Sequence, residues 1–140
     1  MAQGCRIILT DDDADDRFFL AEALERNHFR GDLIEAGNGS ELLSILKKQF
    51  IVDKVWPNII VLDLNMPVLN GYQVLEQLKN YNCLPRLSVV VLTSSSKQED
   101  EQWCIEAGCS KYYKKPFHIA GYDDIARDIL VSIRQADNCC

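Results

Sequence analysis

The chain has 140 residues, of which 47% are apolar and 26% charged, with a formal net charge of -6. One packed domain is expected at this length, and the apolar content excludes a disordered chain. The acidic balance argues against direct binding to a nucleic-acid backbone, which needs clustered Lys and Arg, and no apolar run reaches the 18 or so residues of a membrane span.

Strand and helix patterns alternate along the sequence. Arg6–Thr10 reads as a buried strand, closed by Asp11-Asp12-Asp13. The segment from Asp16 to Leu24 carries a helical apolar face through Phe19, Leu20, Ala23 and Leu24, with Phe18 also assigned to the core. A short second strand is predicted at Asp32–Ala36, then a turn at Asn38-Gly39-Ser40 and a helix from Glu41 to Lys48 that buries Leu42, Leu43 and Leu46. Phe50 to Pro57 is either a long connection or an added turn of that helix. The third strand, from Asn58, runs fully apolar into Asp63. A third helix is predicted over Gly71–Asn80, buried through Val74, Leu75 and Leu78, with a loop from Asn80 to Pro85 after it. The fourth strand, Leu87–Leu92, ends in Thr93. The fourth helix, Lys97–Ala107, starts behind Ser96 as its cap and stops at Gly108. Lys111–Lys114 forms the fifth strand, followed by Lys115-Pro116-Phe117 and a last helix over about Tyr122–Gln135.

Repeated strand–helix units favour a parallel sheet covered on both faces. In such a sheet all C-terminal strand ends lie on one edge, where open α/β folds build their sites. Asp11, Asp12, Asp63, Thr93, Ser94 and Lys115 all follow strands, so they converge if the first, third, fourth and fifth strands are neighbours. The residue types then suggest phosphoryl chemistry. Asp63 is the candidate nucleophile, forming an aspartyl phosphate. Asp11 and Asp12, with Asp63 beside them, suit Mg²⁺, a hard cation that also takes backbone carbonyls such as that of Asn65. Close carboxylates repel, and a cation relieves that repulsion. Lys115 offers a fixed positive charge and Thr93 a hydroxyl donor to the phosphoryl oxygens. Asp13, Asp15 and Asp16 are read as loop and helix N-terminal acids, favoured by the helix dipole.

Taken together, Asp11-Asp12, Asp63 within Leu62-Asp63-Leu64-Asn65-Met66-Pro67, Thr93-Ser94, Lys115-Pro116-Phe117, Gly71, Ala107-Gly108 and Tyr112 make the chain resemble the receiver domain of two-component response regulators. The resemblance spans roughly residues 6 to 135. It implies a flavodoxin-like, doubly wound five-stranded parallel sheet of order 2-1-3-4-5 in an α/β/α sandwich, an order for which a receiver is a standard example. It also implies that Asp63 accepts a phosphoryl group from a histidine kinase or a histidine phosphotransfer protein with Mg²⁺. Thr93 and Tyr112 would be the switch pair, and the face of the fourth helix, fifth strand and fifth helix would then change its preference for a separate downstream protein. Asn65 and Ser95 match positions that tune dephosphorylation. Pro116 fixes the register on Lys115, leaving Lys114 to solvent.

The expected domain is a single stand-alone receiver over 1–140, with 136–140 as a tail and no output module. It is expected to be cytoplasmic, monomeric or weakly dimeric, and not an enzyme beyond dephosphorylating itself. An interaction receiver that works without phosphorylation is the alternative. An aspartyl-nucleophile phosphohydrolase is disfavoured because Asn65 stands where a second acid would protonate the leaving group. A flavin-binding module is disfavoured because Asp11-Asp12-Asp13 would repel the FMN phosphate. The six cysteines lack zinc-like spacing and are expected as free thiols. Trp56 and Trp103 are expected near the surface, with Trp103 on a face available to a partner.

Overall fold

The computed structural model describes residues 5–52, 57–80 and 87–137. Its elements follow as β1 (Arg6–Thr10), α1 (Ala14–Arg26), β2 (Asp32–Ala36), α2 (Gly39–Lys47), β3 (Ile59–Leu62), α3 (Gly71–Asn80), β4 (Val89–Thr93), α4 (Gln98–Glu106), β5 (Lys111–Lys114) and α5 (Gly121–Asp137). The five strands are all parallel and ordered β2-β1-β3-β4-β5. This is the doubly wound architecture that the sequence implied.

The inner strands are apolar throughout because each face meets its own layer of helices. Ile7 and Leu9 of β1, Ile59 and Val61 of β3, and Val90 and Leu92 of β4 point to one core, closed by Leu20, Ala23 and Leu24 of α1 and Ile125, Ala126, Ile129 and Ile133 of α5. The alternate residues, Ile8, Ile60, Leu62, Val89 and Val91, meet Leu42 and Leu46 of α2, Val74, Leu75 and Leu78 of α3 and Cys104 of α4. A fully buried leucine or isoleucine contributes about 1.5–3 kcal/mol over an exposed one, so the two cores together supply much of the drive to fold. β2 and β5 lie at the sheet edges and are only half-buried.

Local chemistry sets the helix ends. Asp13 caps α1, accepting from the N–H groups of Asp15 and Asp16, and Asn38 caps α2 by accepting from Glu41 N–H. α2 continues into a π-helical turn, Lys48–Val52, so part of the expected long connection is helical. Gly108 has φ 107°, a left-handed backbone behind α4 that suits glycine.

The structure corrects some expectations. Ser96 does not cap α4: the cap position is Lys97, which makes no side-chain cap bond, because Ser95 Oγ and Asp100 fasten the turn instead. Phe18 is 56% exposed, since helical periodicity turns it away from the sheet while its ring rests edge-on against Phe19. Cys104 and Cys109 are free thiols as expected, and both are buried, but Cys5 is disulfide-bonded, with its partner outside the described residues. Spacing in sequence does not reveal which thiols meet in space. Trp56, the loop through Pro85, Cys83, Cys139 and Cys140 also lie outside the described residues.

Candidate functional site

The backbone ladder carries the key residues past the ends of the strands. Asp11 N–H donates to Ala36 carbonyl at 3.1 Å, Asp63 N–H to Thr10 carbonyl at 3.0 Å, and Lys115 N–H to Thr93 carbonyl at 2.7 Å. Each residue is thus still held by the sheet while its side chain reaches the edge. Lys115 Nζ gathers three carboxylates: Asp16 at 2.8 Å, Asp11 at 2.9 Å and Asp63 at 3.0 Å. Asp11 and Asp63 are buried, whereas Asp12 is exposed beside them. One oxygen from each of Asp11, Asp12 and Asp63 lies within 4.8 Å of the others, a spacing and donor set that fit a hard divalent cation.

Charge balance explains the proton affinities here. Burial pushes the Asp11 carboxyl up to about 6, against bonds from Lys115 and Asp13 N–H that favour the ionised form. Burial alone would lower the Lys115 pKa, but its bonds to Asp16, Asp11 and Asp63 outweigh this and raise it. Lys115 is therefore fully charged, and the cluster carries more negative than positive charge.

Two residues of α1 join the site that sequence reasoning had left out. Asp16 was read as a helix N-terminal acid, yet it bonds Lys115 and accepts a 3.2 Å bond from Tyr122 OH of α5. Arg17 Nη1 donates to the Asp11 carbonyl while its Nε donates to Glu35 at 2.8 Å, clamping the start of the acidic loop. The available signal was their place on the first turn of the helix that begins directly behind Asp11. Asp13 and Asp15 keep the structural role assigned to them.

The loop after Asp63 is tightly folded. Asn65 N–H donates to Asp63 Oδ1 at 3.2 Å, and Gly71 N–H donates to Leu64 carbonyl at 3.0 Å. A Cβ on Gly71 would lie 2.5 Å from the Asp63 carbonyl oxygen, so only glycine lets α3 start this close. Between them Leu69 N–H reaches Pro67 carbonyl at 2.7 Å across Val68, which has φ 68°. A β-branched residue is strained in that conformation.

Thr93 is fully buried at the end of β4, with Oγ1 3.5 Å from Asn65 Nδ2 and 3.4 Å from Ser95 N–H. Tyr112 is half-buried against the second core, and its OH donates to Ser95 carbonyl at 3.2 Å. Lys114 is exposed, with Nζ 5.2 Å from the centre of the Phe117 ring. Trp103 is half-buried rather than free on the surface, meeting Tyr72 edge-on.

The model of the response regulator receiver domain matches residues 7–126. The chain belongs to the response regulator receiver domain family. Members are phosphoacceptor switches of two-component signalling. A probable transcriptional regulator, ycf27, from Porphyridium aerugineum is 32% identical over 133 residues, covering 95% of this chain and 51% of that protein. The sensor histidine kinase CheAY of Helicobacter pylori is 31% identical over 111 residues, covering 79% of this chain and 13% of its own length. The chain thus spans about half, or much less, of these curated relatives. Among solved structures, the phosphorylated cyanobacterial phytochrome response regulator RcpA superposes with a TM-score of 0.80 at 26% identity, covering 90% of this chain and 91% of that one. The Mn²⁺-bound form of response regulator Rcp1 gives 0.78 at 28% identity, covering 89% and 91%.

Proposed function

We propose that this receiver is switched by phosphorylation of Asp63. The observation that carries the reading is the convergence of Asp63, Asp11 and Lys115 at one sheet edge, with Asp12 close enough to share a cation. Asp11, Asp12, Asp63 and the Asn65 carbonyl would hold Mg²⁺, which would screen the incoming phosphoryl group and stabilise its charge. Lys115 would exchange its bond to Asp63 for one to a phosphoryl oxygen. Thr93 would donate its hydroxyl to another, and Tyr112 would follow it inward. The face of α4, β5 and α5 would carry the change to a separate protein. The donor would be a histidine kinase or a histidine phosphotransfer protein, which fits the kinase relative CheAY. The metal and phosphoryl states named for Rcp1 and RcpA support the same reading.

Among the described residues no helix is long and apolar enough to cross a membrane, which is compatible with a cytoplasmic site of action. The reading has a direct test. Acetyl phosphate with Mg²⁺ should add one phosphoryl group to the wild-type protein by intact mass, and Asp63→Asn should add none. A wild type that stays unlabelled by both acetyl phosphate and phosphotransfer proteins would leave the phosphorylation-independent interaction role in its place.

A further inference from the structure

One carboxylate fastens the hydroxyl side of the site to two helices. Ser95 is joined to Thr93 by its N–H and to Tyr112 by its carbonyl. Its Oγ donates to Asp100 Oδ2 in the first turn of α4, and accepts from Lys97 N–H at 3.3 Å. The other Asp100 oxygen accepts from Tyr72 OH of α3. The Tyr72 ring in turn meets Trp103 edge-on, with centroids 4.8 Å apart. The bonds from Ser95 and Tyr72 hold the Asp100 carboxyl below its usual range, so at neutral pH it is ionised and both bonds are charge-assisted.

We infer that Asp100, backed by Tyr72, is a positioning residue for Thr93: it latches the loop after β4 in its resting place through Ser95. The inference rests on the proposed movement of Thr93 toward a phosphoryl group on Asp63. Thr93 cannot make that movement while Ser95 stays fixed, because only Ser94 separates the two in the chain and they are bonded to each other. The Ser95 bond to Asp100 must stretch or break as Thr93 advances. Tyr72 sets how firmly Asp100 resists, because it ties the carboxylate to α3, which does not bear Thr93. The latch therefore favours the resting packing, and a ligand that selects the moved packing binds more weakly by the fraction of molecules already unlatched. The bonds of this latch run through side chains at half-buried positions, where they can open without exposing the core.

Beryllofluoride with Mg²⁺, a phosphoryl mimic that binds carboxylates, reads this population directly. The parent is the full chain with Trp56→Phe, so that Trp103 is its single tryptophan. Asp100→Ala and Tyr72→Phe should each bind beryllofluoride about three- to tenfold tighter than the parent. Trp103 emission of resting Asp100→Ala should shift toward the bound value of the parent. Glu99→Gln, on the same turn of α4 but outside the latch, should bind as the parent does. Affinities within about twofold of the parent in both variants, or weaker, overturn the latch, even if melting temperatures fall. Tyr72→Phe removes one hydroxyl and keeps the ring, so it preserves the test if Asp100→Ala fails to fold. A parent blind to both beryllofluoride and acetyl phosphate overturns the phosphoacceptor reading itself, whereas a responsive parent with unchanged variants overturns the latch alone.

Discussion

Two groups of side chains share the sheet edge, and they are held differently. Around Lys115, three carboxylates sit at 2.8 to 3.0 Å in shielded positions. Around Thr93, the nearest donors stand off at 3.4 and 3.5 Å, while the firm bonds belong to its neighbour Ser95. The first group is an assembled charge cluster. The second is a loosely held hydroxyl on a segment restrained from outside. Under the proposed function the difference would separate two tasks: the charged group would prepare the edge for a phosphoryl group before it arrives, and the hydroxyl group would retain the freedom to respond to it. Preorganised charge acts in the chemical step without further rearrangement.

Mutations can break this division. The largest effect should come from the charged group. Lys115→Ala should slow phosphorylation by acetyl phosphate by about 100-fold or more. Thr93→Ala should slow it by tenfold or less, within about the worth of one charged hydrogen bond, while abolishing the spectroscopic response to phosphorylation. Equal rate losses in single-turnover labelling would erase the distinction.

A second comparison uses pH on the metal-free protein. The folded state raises the Asp11 carboxyl from 3.8 to about 6, so it holds that proton more tightly than the unfolded chain. The stability linked to this proton is complete below about pH 4 and is lost as pH rises through about 6. The loss is of the order of 3 kcal/mol from the size of the shift. Asp11→Asn does not titrate, so its melting temperature relative to wild type should rise from pH 4 to pH 7, and Mg²⁺ at pH 7 should narrow the gap by binding only the wild-type fold well. A gap independent of pH would show that Asp11 is not strained by ionisation.

The smallest effect is expected at the outer end of the hydroxyl group. Tyr112→Phe loses a single 3.2 Å bond to Ser95 carbonyl. It should cost under about 1.5 kcal/mol in denaturant unfolding and leave the labelling rate within about twofold. A larger rate loss would place Tyr112 in the chemistry rather than in the response.

Much of this was legible in the sequence because parallel strands announce themselves. Runs such as Ile59–Leu62 are apolar on both faces, so the first polar residue after each marks the sheet edge. Asp11, Asp63, Thr93 and Lys115 were found by that rule, and the structure brings them together. Helices hide more. Asp16 looked like any acid in a first helical turn, since its value depends on where α1 points that turn, a tertiary fact. Asp100 and Tyr72 lie 28 residues apart on different helices, and nothing local links them. Phe18 lies in an amphipathic run, but its phase along α1 turns it off the buried stripe. The Cys5 bridge was missed because its partner is set by chain path, not spacing.

Lys115 closes its contacts across 52 residues to Asp63 and 99 to Asp16. A chain made from its N-terminus therefore has every carboxylate of the cluster before it has the lysine. Burying Asp11 and Asp63 without that cation is strongly unfavourable, so a nascent domain is penalised for closing its edge early. The ammonium that would later meet a phosphoryl group therefore arrives last, and the edge can close at low cost only once β5 is in place. A fragment released before β5 would be left open at that edge, exposed to proteolysis rather than persisting as a receiver unable to signal.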